Sequence, residues 1–146
     1  MQVAEIMSHP VIVTNLTTTS RDAARRMRDE HIGALPVVPV AEPDRPVGMV
    51  TDRDIVVRAV AENQLPSTAA VSKVMSEGVV TCFEDDTIEE AARLMAEHQV
   101  RRLPVMNRDG RLVGIVAIAD IARSGAREAE ELALEGVSQP TGRPRR

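Results

Sequence analysis

The segment Gly48-Met49-Val50-Thr51-Asp52-Arg53-Asp54 sets a hydroxyl and a carboxylate three positions apart, directly behind an apolar run. If strand turns into helix at Thr51, its hydroxyl and the amides that follow, starting at Asp52, can meet a phosphate at the positive end of the helix. Asp54, one turn further on, can accept two hydrogen bonds from a vicinal diol such as that of a ribose. Gly48 lets a ligand or a neighbouring backbone come close to the strand. Thr-x-x-Asp is equally an ordinary helix cap that needs no ligand. On the motif alone both readings stand.

Catalysis finds no support in the remaining polar residues. His9, His31 and His98 are scattered, and none lies at helical i, i+4 spacing from another or beside a Gly-x-Ser-x-Gly segment. Asp85-Asp86 and Glu89-Glu90 are paired carboxylates, but they fall at a helix start, where negative charge favours the dipole. Neither a Gly-x-x-x-x-Gly-Lys loop nor a Gly-x-Gly-x-x-Gly fingerprint occurs, so the chain reads as a non-enzyme with no covalent cofactor.

The composition is that of a folded globular chain: 146 residues, 43% hydrophobic, with Phe83 as the single aromatic residue. Val, Ile, Leu, Met and Ala must therefore fill the core. No apolar run approaches the roughly 18 residues of a membrane span, and the first ten residues lack the pattern of a signal peptide, which predicts a cytoplasmic protein. Cys82, the one cysteine, has no intrachain partner for a disulfide. The net charge is −4, and the tail carries Arg143, Arg145 and Arg146, so the rest is more acidic still; an acidic body argues against nucleic-acid binding. The short Gly/Pro/Arg tail reads as disordered.

The elements that would position Thr51 and Asp54 occur twice. Residues 3–38 lie over residues 71–106 without a gap, matching Val3/Val71, Met7/Met75, Ser8/Ser76, Thr19/Thr87, Met27/Met95, Leu35/Leu103 and Pro36/Pro104 among others. Past a loop two residues longer in the first copy, Gly48/Gly114, Val50/Val116, Asp54/Asp120 and Ile55/Ile121 match. The periodicity predicts strand, helix, strand, strand, helix in each copy. Val11-Ile12-Val13 and Val79-Val80-Thr81 read as strands, and Thr87-Ile88-Glu89-Glu90 reads as a capping box. A C-terminal helix is expected from about residue 126 to 135, with Ala129, Leu132 and Ala133 on one side and Gly136 as its stop. The expected divisions are 1–60, a linker at 61–70, 71–123, and a helix with a basic tail at 124–146. Copies this small should bury their apolar faces against each other.

Leu-Pro-Val opening one strand and Val-Gly-x-Val closing the next, before an Asp-Ile helix, resembles the CBS domain, and two in tandem resemble a Bateman module. Thr51-Asp52-Arg53-Asp54-Ile55-Val56 and His98-Gln99-Val100-Arg101-Arg102-Leu103-Pro104-Val105 are similar to segments of small stand-alone bacterial CBS-pair proteins, among them the hypoxic response proteins. The resemblance implies an α/β fold of two CBS domains related by a pseudo-twofold axis. It also implies a regulatory module that binds an adenosine-type nucleotide, and a homodimer paired through helix faces. Thr51, Asp52 and Asp54 then become ligand residues of one cleft and Asp120 of the other. Ala117 lacks the hydroxyl of Thr51, so the Asp54 cleft is expected to bind better. Arg101 and Arg102 stand where such modules send basic side chains to phosphates. With Phe83 the only aromatic, adenine would lie between aliphatic side chains from Ile12 and Val13 in one cleft and Val80 and Thr81 in the other. The alternatives are a ligand-free interaction module reading an unknown effector protein, or a metal or redox responder using Cys82 and a histidine.

Overall fold

The computed structural model describes residues 1–138, which form two compact units. The first unit takes residues 12–79; the second takes residues 1–11 together with residues 80–138. These units divide the chain differently from the repeat boundaries, because the leading segment of each copy folds with the core of the other copy.

In the first unit the elements are β1 (Thr14–Asn15), α1 (Ser20–Glu30), β2 (Ala34–Val38), β3 (Gly48–Thr51), α2 (Asp52–Ile55), α3 (Val71–Val74) and β4 (Ser76–Glu77). They make one four-stranded sheet in the order β1-β2-β3-β4, with β1 parallel to β2 and the other pairs antiparallel. Thr19 caps α1 by accepting from the Asp22 amide at 3.1 Å, and His31 closes that helix in the left-handed region. Beyond Ile55, α2 widens into a π turn over Val56–Val60, where the Ala61 amide reaches the Val56 carbonyl at 2.9 Å. Ala23 and Met27 of α1, Leu35 and Val37 of β2, Val50 of β3, and Ile55 and Ala59 form the core with Val71, Val74 and Met75. Those last three residues belong to the second copy in sequence.

The second unit repeats the plan. Its elements are β5 (Cys82–Phe83), α4 (Ile88–His98), β6 (Arg102–Met106), β7 (Leu112–Ala117), α5 (Ile118–Ser124) and α6 (Arg127–Val137). The sheet runs β5-β6-β7, and Ser8 bridges Ile115 on its open edge, where β4 sits in the first unit. Thr87 and Glu90 form the expected capping box, each side chain bonding the other's amide at 3.0 and 3.1 Å. Val3, fully buried, joins Cys82, Ile88, Met95, Leu103, Val116 and Ile121 in the core.

Close approach of these edges explains the glycines of Val-Gly-x-Val. A Cβ on Gly48 would lie 2.6 Å from the Ser76 carbonyl oxygen, and one on Gly114 would lie 2.6 Å from the Met7 sulfur and 2.9 Å from the Ser8 carbonyl oxygen. Both glycines therefore admit a neighbouring backbone, which is what fills the space at Gly48.

Three expectations need correction. The apolar runs at residues 11–13 and 79–81 are not themselves strands, and the ladders start at Thr14 and Cys82. The chain passes from one unit to the other at those runs, before it joins either ladder. Gly136 does not stop the last helix, which continues to Val137; a Cβ there would collide with Ala96, so glycine instead lets α6 pack directly on α4. Finally, Leu132 does not share the buried side of that helix: Ala129, Ala133 and Val137 join the core of their own unit, while Leu132 is 38% exposed. The tail with Arg143, Arg145 and Arg146 lies outside the described residues.

Residues 1–64 lack Val71, Val74 and Met75, three members of the first unit's core, whereas residues 12–79 carry that core whole. Losing buried aliphatic side chains of this size costs about 1–4 kcal/mol each, comparable to the total stability of a domain this small. A thermal melt followed by far-UV circular dichroism is expected to be cooperative for 12–79 and broad or absent for 1–64; a cooperative melt of 1–64 contradicts the segment exchange.

Candidate functional site

The register of each sheet gathers the candidate residues at one of its ends. Thr14 pairs with Val37 in parallel, so Ile12 and Val13 lie toward the Ala34 end of β2, and Ala34 pairs with Thr51 at the start of α2. In the second unit Cys82 pairs with Val105, which carries Val80 and Thr81 toward Arg102, and Arg102 pairs with Ala117 at the start of α5. The ten candidates thus sort into two sets of five. Ile12, Val13, Thr51, Asp52 and Asp54 belong to the first unit. Val80, Thr81, Arg101, Arg102 and Asp120 belong to the second. The two arginines lie beside Asp120, with the Arg101 carbonyl accepting from the Ile118 amide at 3.1 Å, and not in the unit of Asp54.

At the first junction the cap and the ligand reading share the same atoms. The Asp54 amide donates to Thr51 Oγ1 at 3.1 Å, and the Thr51 amide donates to Asp54 Oδ2 at 3.0 Å. This reciprocal cap fixes both side chains. The Thr51 hydroxyl, used as an acceptor, keeps its proton to donate. Asp54 is only 3% exposed, yet its Oδ1 makes no hydrogen bond among the described residues. No buried side-chain polar atom there lacks a partner, so Oδ1 opens to the surface.

The second junction keeps the backbone and changes the chemistry. The Ala117 amide donates to Asp120 Oδ2 at 2.8 Å, but Ala117 returns nothing to the Asp120 amide. Asp120 Oδ1 is taken by the guanidinium of Arg123, one turn along α5. Nothing in the sequence reading singled out Arg123. The i, i+3 spacing of Asp120 and Arg123, against Asp54 and Val57 in the first copy, is the signal that could have found it.

Charge differs at a second pair of equivalent places. Asp52 leans over Gly33, its Oδ2 lying 3.1 Å from where a Cβ would sit, while the equivalents of Gly33 and Asp52 in the second copy are Arg101 and the buried Ile118. The first junction is therefore acidic and the second basic. One face of the Phe83 ring is covered by the Arg108 guanidinium, 3.8 Å from the centroid. Asp85 holds that guanidinium at 2.9 Å, and the hydrogen bond keeps the Asp85 carboxyl below the usual carboxylate range. A separate cavity of about 450 Å³ opens between α1 and α2, lined by Met27, Arg28, His31, Asp52 and Ile55 among others. It shares Asp52 with the junction but not Thr51, Asp54, Ile12 or Val13.

The CBS domain family matches residues 3–60 and again residues 71–127, so the chain belongs to that family and carries two CBS domains in tandem. It is 41% identical to hypoxic response protein 1 of Mycobacterium tuberculosis over 82% of this chain and 81% of that one. An uncharacterized protein of Methanopyrus kandleri is 37% identical over 83% of this chain, which spans only 61% of that relative's length. Among solved structures, hypoxic response protein I with two coordinated zinc ions superposes at a TM-score of 0.74 and 40% identity, covering 84% of this chain and 98% of that one. A CBS domain protein from Pyrobaculum aerophilum complexed with AMP superposes at 0.78 and 27%, covering 90% and 99%. A CBS domain pair in complex with 5′-methylthioadenosine and S-adenosylmethionine superposes at 0.74 and 29%, covering 86% and 99%. Two of these similar structures thus hold adenosine ligands.

The zinc-bound relative directs attention to Cys82. Here that thiol is buried at the start of β5, and burial, with a smaller push from Asp86, raises its pKa to about 12. Among the described residues no three His, Cys, Asp or Glu side chains cluster as a metal site. At pH 8 the thiolate is then on the order of one part in ten thousand. A chromogenic disulfide reagent is expected to label the native protein far more slowly than the unfolded chain; equal rates would show an exposed, reactive thiol.

Proposed function

We propose that this chain is a ligand-sensing regulatory module, without catalytic activity, that binds an adenosine-type nucleotide at the Thr51–Asp54 junction. The free Oδ1 of Asp54 carries this reading. A carboxylate held almost wholly inside the protein, with one oxygen committed to a backbone amide and the other open and unpaired, is poised to accept from a ribose hydroxyl. Ile12 and Val13, half-buried at the same end of the sheet, supply aliphatic surface for a purine. The Thr51 proton and the amides at the start of α2 supply donors for the remainder of the ligand. The adenosine ligands of the AMP-bound and S-adenosylmethionine-bound CBS proteins support the class of molecule.

Asp120 is the weaker position in this reading, because both of its oxygens already have partners. A hydrogen bond to a charged group contributes about 1.5–3 kcal/mol, so Asp54→Ala is expected to weaken AMP binding by roughly ten- to a hundredfold and Asp120→Ala far less. Isothermal titration with AMP, well below the melting temperature of each variant, measures the difference. Equal losses in the two variants would remove Asp54 from its special place.

The module pairs with a second copy through the outer side of the π turn that follows α2, and an effector protein reads its state in the cytoplasm. Val56, Val57 and Val60 are 58, 45 and 57% exposed there, a density of apolar surface that a partner helix would cover. Light scattering at micromolar concentration is expected to report a dimer; a monomer at that concentration refutes the pairing.

A further inference from the structure

We infer that Arg123 is a built-in plug on the second junction: its guanidinium occupies the one oxygen of Asp120 that, on the equivalent Asp54, is left open for a ligand. The inference rests on the adenosine reading of the first junction and assigns a residue that decides which of the two sites takes an uncharged nucleoside.

Asp120 is held like Asp54. It is 7% exposed, sits one turn into its helix, and accepts from the amide of the preceding cap residue through Oδ2. The copies part at the next turn. Residue 57 is a valine and cannot bond Asp54, whereas residue 123 is an arginine whose Nη2 donates to Asp120 Oδ1. A charge-assisted bond of this kind must be broken before a ribose can take its place.

The plug is held loosely. The Arg123 side chain is 70% exposed, and an exposed i, i+3 ion pair adds little to stability. Arg123 can therefore be exchanged without unfolding α5, whose buried face is Ile118, Asp120 and Ile121 and whose end is closed by Gly125 at φ 81°. Arg123→Val converts the turn to the arrangement the first copy already has. Arg123→Lys keeps a cation but not the fork, and serves as the conservative control.

Adenosine is the probe, because it carries no charge that could draw the guanidinium away. Titration calorimetry on the full chain is expected to find one adenosine per chain for the unmodified protein and none for Asp54→Ala at the same concentrations. Arg123→Val is expected to bind two, the second site strengthened by up to about fivefold, the factor by which an exposed ion pair can oppose the ribose. The double variant Asp54→Ala with Arg123→Val is expected to bind one, now at Asp120, and Arg123→Lys to stay at one. Arg123→Val remaining at the unmodified stoichiometry overturns the plug. A site gained in Arg123→Val when the unmodified protein binds no adenosine, or when Asp54→Ala changes nothing, upholds the plug while removing the reading of the first junction. Circular dichroism melts of each variant verify that the change lies in binding and not in folding.

Discussion

Each copy finishes its core with residues from the other. Val3 and Val71 hold the same place in the two repeats, both have no exposed surface, and each lies in the unit built mainly from the opposite repeat. Chains of about 60 residues bury too small a share of their surface to be comfortably stable alone. Borrowing a leading segment enlarges each core and also covers an edge of each sheet that would otherwise expose unpaired amides and carbonyls. The arrangement is possible only where the receiving strand carries no side chain. Gly48 and Gly114 are therefore determined by the backbone lying on them, at Ser76 and at Met7-Ser8, before any ligand is considered.

With the sheets fixed in this way, the strand-to-helix junction inherits its geometry. Ala34 opposite Thr51, and Arg102 opposite Ala117, set where α2 and α5 begin, and the Asp one turn on turns back to the amide of the cap residue in both. Capping and ligand reading are then not rivals. One oxygen of the carboxylate fixes the helix start, and that bond orients the other. A carboxylate without the cap would turn freely into solvent and lose the order that makes it selective.

Much of this was legible in the sequence. The repeat, the helix cap at Thr87 and the strands at Leu35-Pro36-Val37 and Leu103-Pro104-Val105 follow from local pattern and local chemistry, so they could be read locally. The segment exchange could not, because an apolar residue such as Val71 shows that it is buried but not in which core. The same limit misplaced the first strand of each copy, since Val11-Ile12-Val13 has the composition of a strand but precedes the first ladder pair, Thr14 with Val37. Gly136 was misread for a related reason: glycine after a helical pattern signals a stop, and the contact with Ala96 that overrides the signal lies forty residues away. At the site, the residue types were legible and their partners were not. That Arg101 and Arg102 lie beside Asp120 follows from register, and that Arg123 holds Asp120 follows from rotamer and burial.

Comparing the copies separates what the fold requires from what a ligand requires. Positions that agree, such as Val3/Val71, Leu35/Leu103, Gly48/Gly114 and Asp54/Asp120, either fill a core, admit a backbone or start a helix, and the structure gives each the same task in both units. Some of the positions that differ lie at the junctions: Gly33 against Arg101, Thr51 against Ala117, Asp52 against Ile118, Val57 against Arg123. None of these differences alters the backbone, yet together they reverse the local charge and fill, on Asp120, the carboxylate oxygen that is free on Asp54. A symmetric need for two identical ligands would have no use for them. Two junctions on one backbone, one acidic with an open acceptor and one basic with its acceptor filled, therefore present different chemistry from the same fold.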